Sequence, residues 1–91
     1  MNEPLTHEYL SEVRKRCDAA TNSPWISFIE GRDHSSGDTV IVRGINGAES
    51  DLYLAGATKE DQDFIAHARQ DIPLLLNEIE RLQKLFLDKQ E

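Results

Sequence analysis

Leu10, Val13, Cys17 and Ala20 recur at spacings of three, four and three, which places them on one helical stripe, with Glu12, Arg14, Lys15, Arg16 and Asp18 mainly outside it. The pattern predicts a helix over 7–20. Thr6 stands at its start, where a hydroxyl accepts a free amide hydrogen, and Glu8 in the first turn complements the positive helix end. Thr21-Asn22-Ser23-Pro24 ends it, because Pro24 disfavours helical geometry at Ser23. Trp25 to Glu30 is aromatic and β-branched, as a partly buried strand requires, and Gly31 to Asp38 has the composition of an exposed loop with no apolar period.

Thr39–Ile45 and Ala48–Leu54 flank Asn46-Gly47, a pair that tolerates the positive φ angles of the turn best matched to twisted strands. A two-residue turn sets Ile45 opposite Ala48, Arg43 opposite Ser50, Ile41 opposite Leu52 and Thr39 opposite Leu54 on the more apolar face. Arg43 then falls at the rim of the buried layer. Thr58-Lys59-Glu60-Asp61 has the spacing of a capped helix start, with Phe64, Ile65, Ala68 and Ile72 marking the expected buried side. Pro73 is expected to kink or restart this helix. Beyond it, Ile72, Leu75, Ile79, Leu82 and Phe86 follow a three, four, three, four spacing, and Leu74, Leu76, Leu85 and Leu87 widen the apolar surface past one seam. Glu80 and Lys84 have the spacing of an ion pair on the polar side.

The order therefore reads α, β, β, β, α, α. The predicted class is α+β, a small three-stranded antiparallel sheet packed against an N-terminal helix and a long C-terminal helix kinked or broken near Pro73, in a single domain over 1–91. With 91 residues, 38% of them hydrophobic, the core is small, and the surplus apolar surface of the last helix predicts a homo-oligomer formed through it.

Charge narrows the partners. Seventeen acidic against ten basic residues give a net charge of −7, which repels a phosphate backbone and argues against duplex nucleic acid. The single Cys17 has no partner for an internal disulfide, the first residues lack a basic region followed by an apolar run, and the longest apolar run, Leu74-Leu75-Leu76, is far too short to span a bilayer. A cytoplasmic protein without a membrane segment is the expectation.

Candidate chemistry is sparse. Asp63 and His67 are four apart on a predicted helix, two potential metal ligands on one face, but Glu60, His34 and Asp38 do not complete a recognised ligand spacing. Asp33, His34, Ser35 and Ser36 supply the residue types of a hydrolytic triad, yet adjacent residues do not readily present nucleophile, base and orienting acid in sequence. Cys17 sits on an apolar stripe, as a small buried side chain does, and the glycines lack the strand, lysine and helix of a phosphate loop. No catalytic residue, metal site or cofactor is expected, and the protein is read as a non-enzyme. Arg32, Arg43, Lys59 and Arg69, should they meet Trp25, Phe28 or Tyr53, would offer charge and stacking to a nucleotide-sized ligand. The plainer expectation pairs Arg43 with Glu49 and Arg69 with a nearby acid.

Two segments resemble a known kind of small protein. Arg16-Cys17-Asp18-Ala19-Ala20-Thr21-Asn22-Ser23-Pro24-Trp25 is similar to a helix end followed by a Thr-Pro-Gly-Pro-Trp turn, with Asn22-Ser23 in place of Pro-Gly. Residues 63–82, from Asp63-Phe64-Ile65-Ala66-His67-Ala68-Arg69-Gln70-Asp71-Ile72-Pro73 to Leu82, resemble the closing helix of Ead-like early-region phage proteins. The resemblance covers about a third of the chain and implies a phage or prophage accessory protein with no agreed enzymatic activity. By analogy it implies an anti-defence role in the host cytoplasm, either sequestering a small anionic, nucleotide-derived ligand or occluding a host protein. Arg43, Arg69 and Trp25 are the expected ligand-binding residues for the first role; the acidic surface and the C-terminal helix would serve the second.

Overall fold

The computed structural model describes residues 5–35 and 38–90. Its elements are α1 (His7–Ala19), β1 (Trp25–Phe28), β2 (Val40–Arg43), a short 3-10 turn (Ile45–Gly47) and α2 (Lys59–Gln90). They fall into two compact units, Thr21–Gln70 and Met1–Ala20 with Asp71–Glu91. The class is α+β, as expected, and among the described residues no helix is long and apolar enough to cross a membrane.

In the unit Thr21–Gln70, β1 and β2 pair antiparallel with Trp25 opposite Arg43 and Phe28 opposite Val40. Ile29, Val40, Ile41 and Ala66 are its buried apolar residues. The sheet has two strands rather than the expected three. Residues 48–54 begin Ala48-Glu49-Ser50-Asp51, in which Ala, Glu and Asp are types depleted in strands, and they form no ladder. The expected register nevertheless holds at two places. Ile41 and Leu52 exchange both backbone hydrogen bonds, at 2.9 and 2.8 Å. At the turn, Asn46 and Gly47 take φ of 57° and 68°, and the Ala48 amide donates to the Ile45 carbonyl at 3.2 Å. Between these points the pairing slips by one residue: the Arg43 carbonyl accepts from the Glu49 amide at 3.1 Å, and the Ser50 carbonyl accepts from the Arg43 side chain instead.

Thr58 and Asp61 cap α2 reciprocally. The Asp61 amide donates to the Thr58 hydroxyl at 3.0 Å and the Thr58 amide to the Asp61 carboxylate at 3.1 Å. The buried side of this first part of α2 differs from the expected one. Gln62 and Ala66 are buried, whereas Phe64 is 75% exposed and Ile65 and Ile72 are exposed too. The reason is hydrogen bonding. Gln62 Nε2 donates to Ser27 Oγ at 2.9 Å and to the Phe28 and Val40 carbonyls at 3.3 Å, while Gln70 accepts from the Trp25 amide at 2.8 Å and donates to its carbonyl at 3.2 Å. Gln70 thus satisfies the Trp25 N–H and C=O, which point away from β2, while Gln62 ties the helix to carbonyls at the β1–β2 ladder. The helix does not restart at Pro73; it is continuous from Lys59 to Gln90, so one helix stands where the predicted order has two.

In the other unit, the Thr6 hydroxyl caps α1 by accepting from the Tyr9 amide at 3.0 Å. Leu10, Val13, Cys17 and Ala20 are half-buried, the stripe the spacing predicts, although α1 buries no residue completely. Arg14 donates to Asn77 at 2.9 Å and to Glu80 at 3.1 Å. Glu80 is therefore not the partner of Lys84, and the i,i+3 pair in this segment is Glu78 with Arg81. Leu76 is buried and Ile79 half-buried, while Leu74, Leu75, Leu82, Leu85, Phe86 and Leu87 are exposed.

Candidate functional site

Thr21 follows α1 and draws three side chains of the unit Thr21–Gln70 onto itself. Its carbonyl accepts from Trp25 Nε1 at 3.1 Å and from Arg69 Nε at 2.8 Å, and its hydroxyl accepts from the Arg43 guanidinium at 3.0 Å. Arg43 also donates through Nε to the Ser50 carbonyl at 2.8 Å, and its guanidinium carbon lies 5.7 Å from the centre of the Trp25 ring. The three expected ligand residues therefore do meet. Their roles differ. Arg43 is half-buried and committed to Thr21, Ser50 and the indole, and neither it nor Trp25 lines the neighbouring cleft, whereas Arg69 lines it, donates only through Nε and keeps both terminal nitrogens without a partner among the described residues.

Neither arginine has a carboxylate within 4.0 Å among the described residues, so the expected Arg43–Glu49 and Arg69–acid pairs are not formed. Next to this cluster opens a cleft of about 390 Å³ lined by Asn22, Ser23, Gly44, Ile45, Ala48, Glu49 and Arg69. Its size is within the range of small-molecule sites. Gly44 is required here: its φ is 85°, its amide donates to the Pro24 carbonyl at 2.9 Å, and a Cβ would stand 3.0 Å from Glu49 Cγ. The peptide bond between Ser23 and Pro24 beside it is cis.

The other candidate groups are engaged elsewhere. Arg32 forms a two-pronged pair with Asp63 at 2.7 and 3.1 Å and donates to Asp33 at 2.8 Å. The guanidinium, with help from the Ser27 hydroxyl, lowers the Asp63 carboxyl to about 2. Asp33 accepts from both Arg32 and the Ile29 amide, which hold its carboxyl below the ordinary range. It is thereby turned into a loop clamp. His34 packs edge-on to Phe28 with ring centres 6.1 Å apart, and Ser36 lies outside the described residues. His67 Nδ1 lies 2.8 Å from the Asp63 carbonyl, and among the described residues no three His, Cys, Asp or Glu side chains cluster as metal ligands would. Lys59 lines a separate cleft with Glu30 and Thr39, and Tyr53 donates to Asp38 at 3.3 Å.

Thr21, Gln62 and Gln70 are the residues that sequence reasoning passes over. Gln62, Ala66 and Gln70 do recur every four residues, but hydropathy reads the two amides as solvent-facing. No protein-family model, curated protein or solved structure matches the chain.

Proposed function

We propose that this protein is a non-enzymatic, phage-type accessory binder that sequesters a small anionic, nucleotide-derived ligand in the cleft beside Thr21. The observation that carries this reading is Arg69, which is fixed by its Nε bond to Thr21, keeps its terminal nitrogens without a partner among the described residues and lines a cleft with Asn22 and Ser23. A guanidinium so oriented presents parallel donors to a phosphate, and Asn22 and Ser23 add neutral ones. Glu49 on the same cleft gives the ligand a second requirement. Its carboxylate accepts from an amino or hydroxyl group and repels a bare polyanion, a combination that favours a phosphate carried on a base or sugar. The resemblance of residues 16–25 and 63–82 to phage accessory proteins supports a sequestering role in the host cytoplasm.

Calorimetric titration with adenosine monophosphate, guanosine monophosphate and inorganic phosphate tests the reading, alongside native mass spectrometry of protein purified from cells. A nucleotide is expected to bind more tightly than phosphate, Arg69→Ala to weaken it at least about tenfold, as loss of a charge-assisted pair does, and Glu49→Gln to leave the fold intact while changing the nucleotide-to-phosphate ratio. Binding that is indifferent to Arg69→Ala, or no retained mass and no titration heat with any probe, would sink it.

A further inference from the structure

We propose that a second copy of this chain covers the apolar face of α2 between Ile72 and Phe86, as an antiparallel two-fold pair centred on Ile79. Leu75, Leu82, Leu85 and Phe86 are between 45% and 64% exposed, and Ile72 is 40% exposed. The remaining side of this segment is in use: Leu76 is buried, and Asn77 and Glu80 are bonded to Arg14 of α1. The open face belongs to something else.

Three observations select a second copy. The first is symmetry. Ile72 and Leu75 precede Ile79 by seven and four residues, and Leu82 and Phe86 follow it by three and seven, so reversal of the helix lays Ile72 near Phe86 and Leu75 near Leu82. A two-fold interface needs a patch complementary to its own reverse, and this seam has that property. The second is charge. Each chain carries −7, which would keep copies apart, but no ionised group lies in the seam, and at its flank Glu78 is neutralised within its own chain by a two-pronged bond to Arg81 at 2.6 and 2.9 Å. Antiparallel helices also oppose their dipoles. The third is area. With roughly 80–100 Å² for each half-exposed Leu, Ile or Phe, the face amounts to about 400–500 Å² per copy and about 800–1,000 Å² per pair, the lower edge of specific interfaces.

Light scattering on the full chain across a concentration series reads the result directly. The expected mass is twice 10.3 kDa. Leu82→Glu is expected to give a monomer of unchanged helical circular dichroism, while Lys84→Glu leaves the dimer intact. On a Cys17→Ser background, mixing Ile72→Cys with Phe86→Cys chains is expected to yield the mixed disulfide in excess over either homodisulfide. A monomer across the series, a dimer that survives Leu82→Glu, or predominance of homodisulfides overturns the proposal. So does a chain that is monomeric alone and dimerises only with a different protein.

Discussion

Trp25 and Arg43 face each other across the two-stranded sheet, and the Arg43 guanidinium carbon lies 5.7 Å from the centre of the indole. Their positions as register partners fix the strand ends, and their side chains meet again at Thr21, one through the carbonyl and one through the hydroxyl. The pair thus joins the sheet to Thr21, the residue that also holds Arg69.

Arg43→Ala removes the stacking contact and the bonds to Thr21 and Ser50 together. A loss of about 1–2 kcal/mol is expected, because the site is partly solvated and the lost acceptors regain water. Urea denaturation of the purified variant measures it. Arg43→Lys should recover only part of the loss, since an ammonium lacks the planar fork.

Gln62 is the buried amide that joins α2 to the carbonyls of Phe28 and Val40. Gln62→Ala should cost about 1–3 kcal/mol by removing a buried amide that bonds the Ser27 hydroxyl and both carbonyls. Gln62→Glu should be worse at pH 7 and partly recover at low pH, because its carboxylate can only repel the two oxygens until it is protonated. Thermal melts of the two variants at both pH values decide this.

Asp63 is held at about 2 against an ordinary 3.8, first by the Arg32 guanidinium. The unfolded chain binds a proton at Asp63 before the folded one does, so this contribution is complete above pH 3.8 and is lost as pH falls towards 2. Asp33 shifts in the same direction. The melting temperature should therefore fall steeply over that window, and Asp63→Asn should flatten the fall. An unaltered acid limb in the variant would contradict the assignment.

Thr58→Ala removes the hydroxyl that accepts from the Asp61 amide. A loss of about 1 kcal/mol is expected, as for other N-cap deletions. Thr58→Ser should restore most of it, and hydrogen exchange at Asp61 and Gln62 should locate the change at the first turn of α2.

Periodicity and capping chemistry were readable in advance: α1 with its Thr6 cap, the start of α2 at Thr58, β1 and the positive-φ turn at Asn46-Gly47 all follow from local sequence. What escaped was set by tertiary hydrogen bonding. Ser50 gives its carbonyl to Arg43, so a strand that alternation allowed does not form. Gln62 and Gln70 take the buried side in place of Phe64 and Ile65, where their amides bond Ser27, Val40 and the Trp25 backbone. The meeting of Trp25, Arg43 and Arg69 was expected from charge and aromatic type; that Thr21 would gather them, and that only Arg69 would keep a free edge, depends on where the chain bends.

Two of the three bonds at Thr21 are made to its carbonyl, a group every amino acid carries. Genetic drift at position 21 can therefore erase only the bond to Arg43; the anchorage of Trp25 and Arg69 passes unchanged through any replacement that keeps the backbone path. Lineages of this protein can lose the threonine and still inherit the arginine's aim.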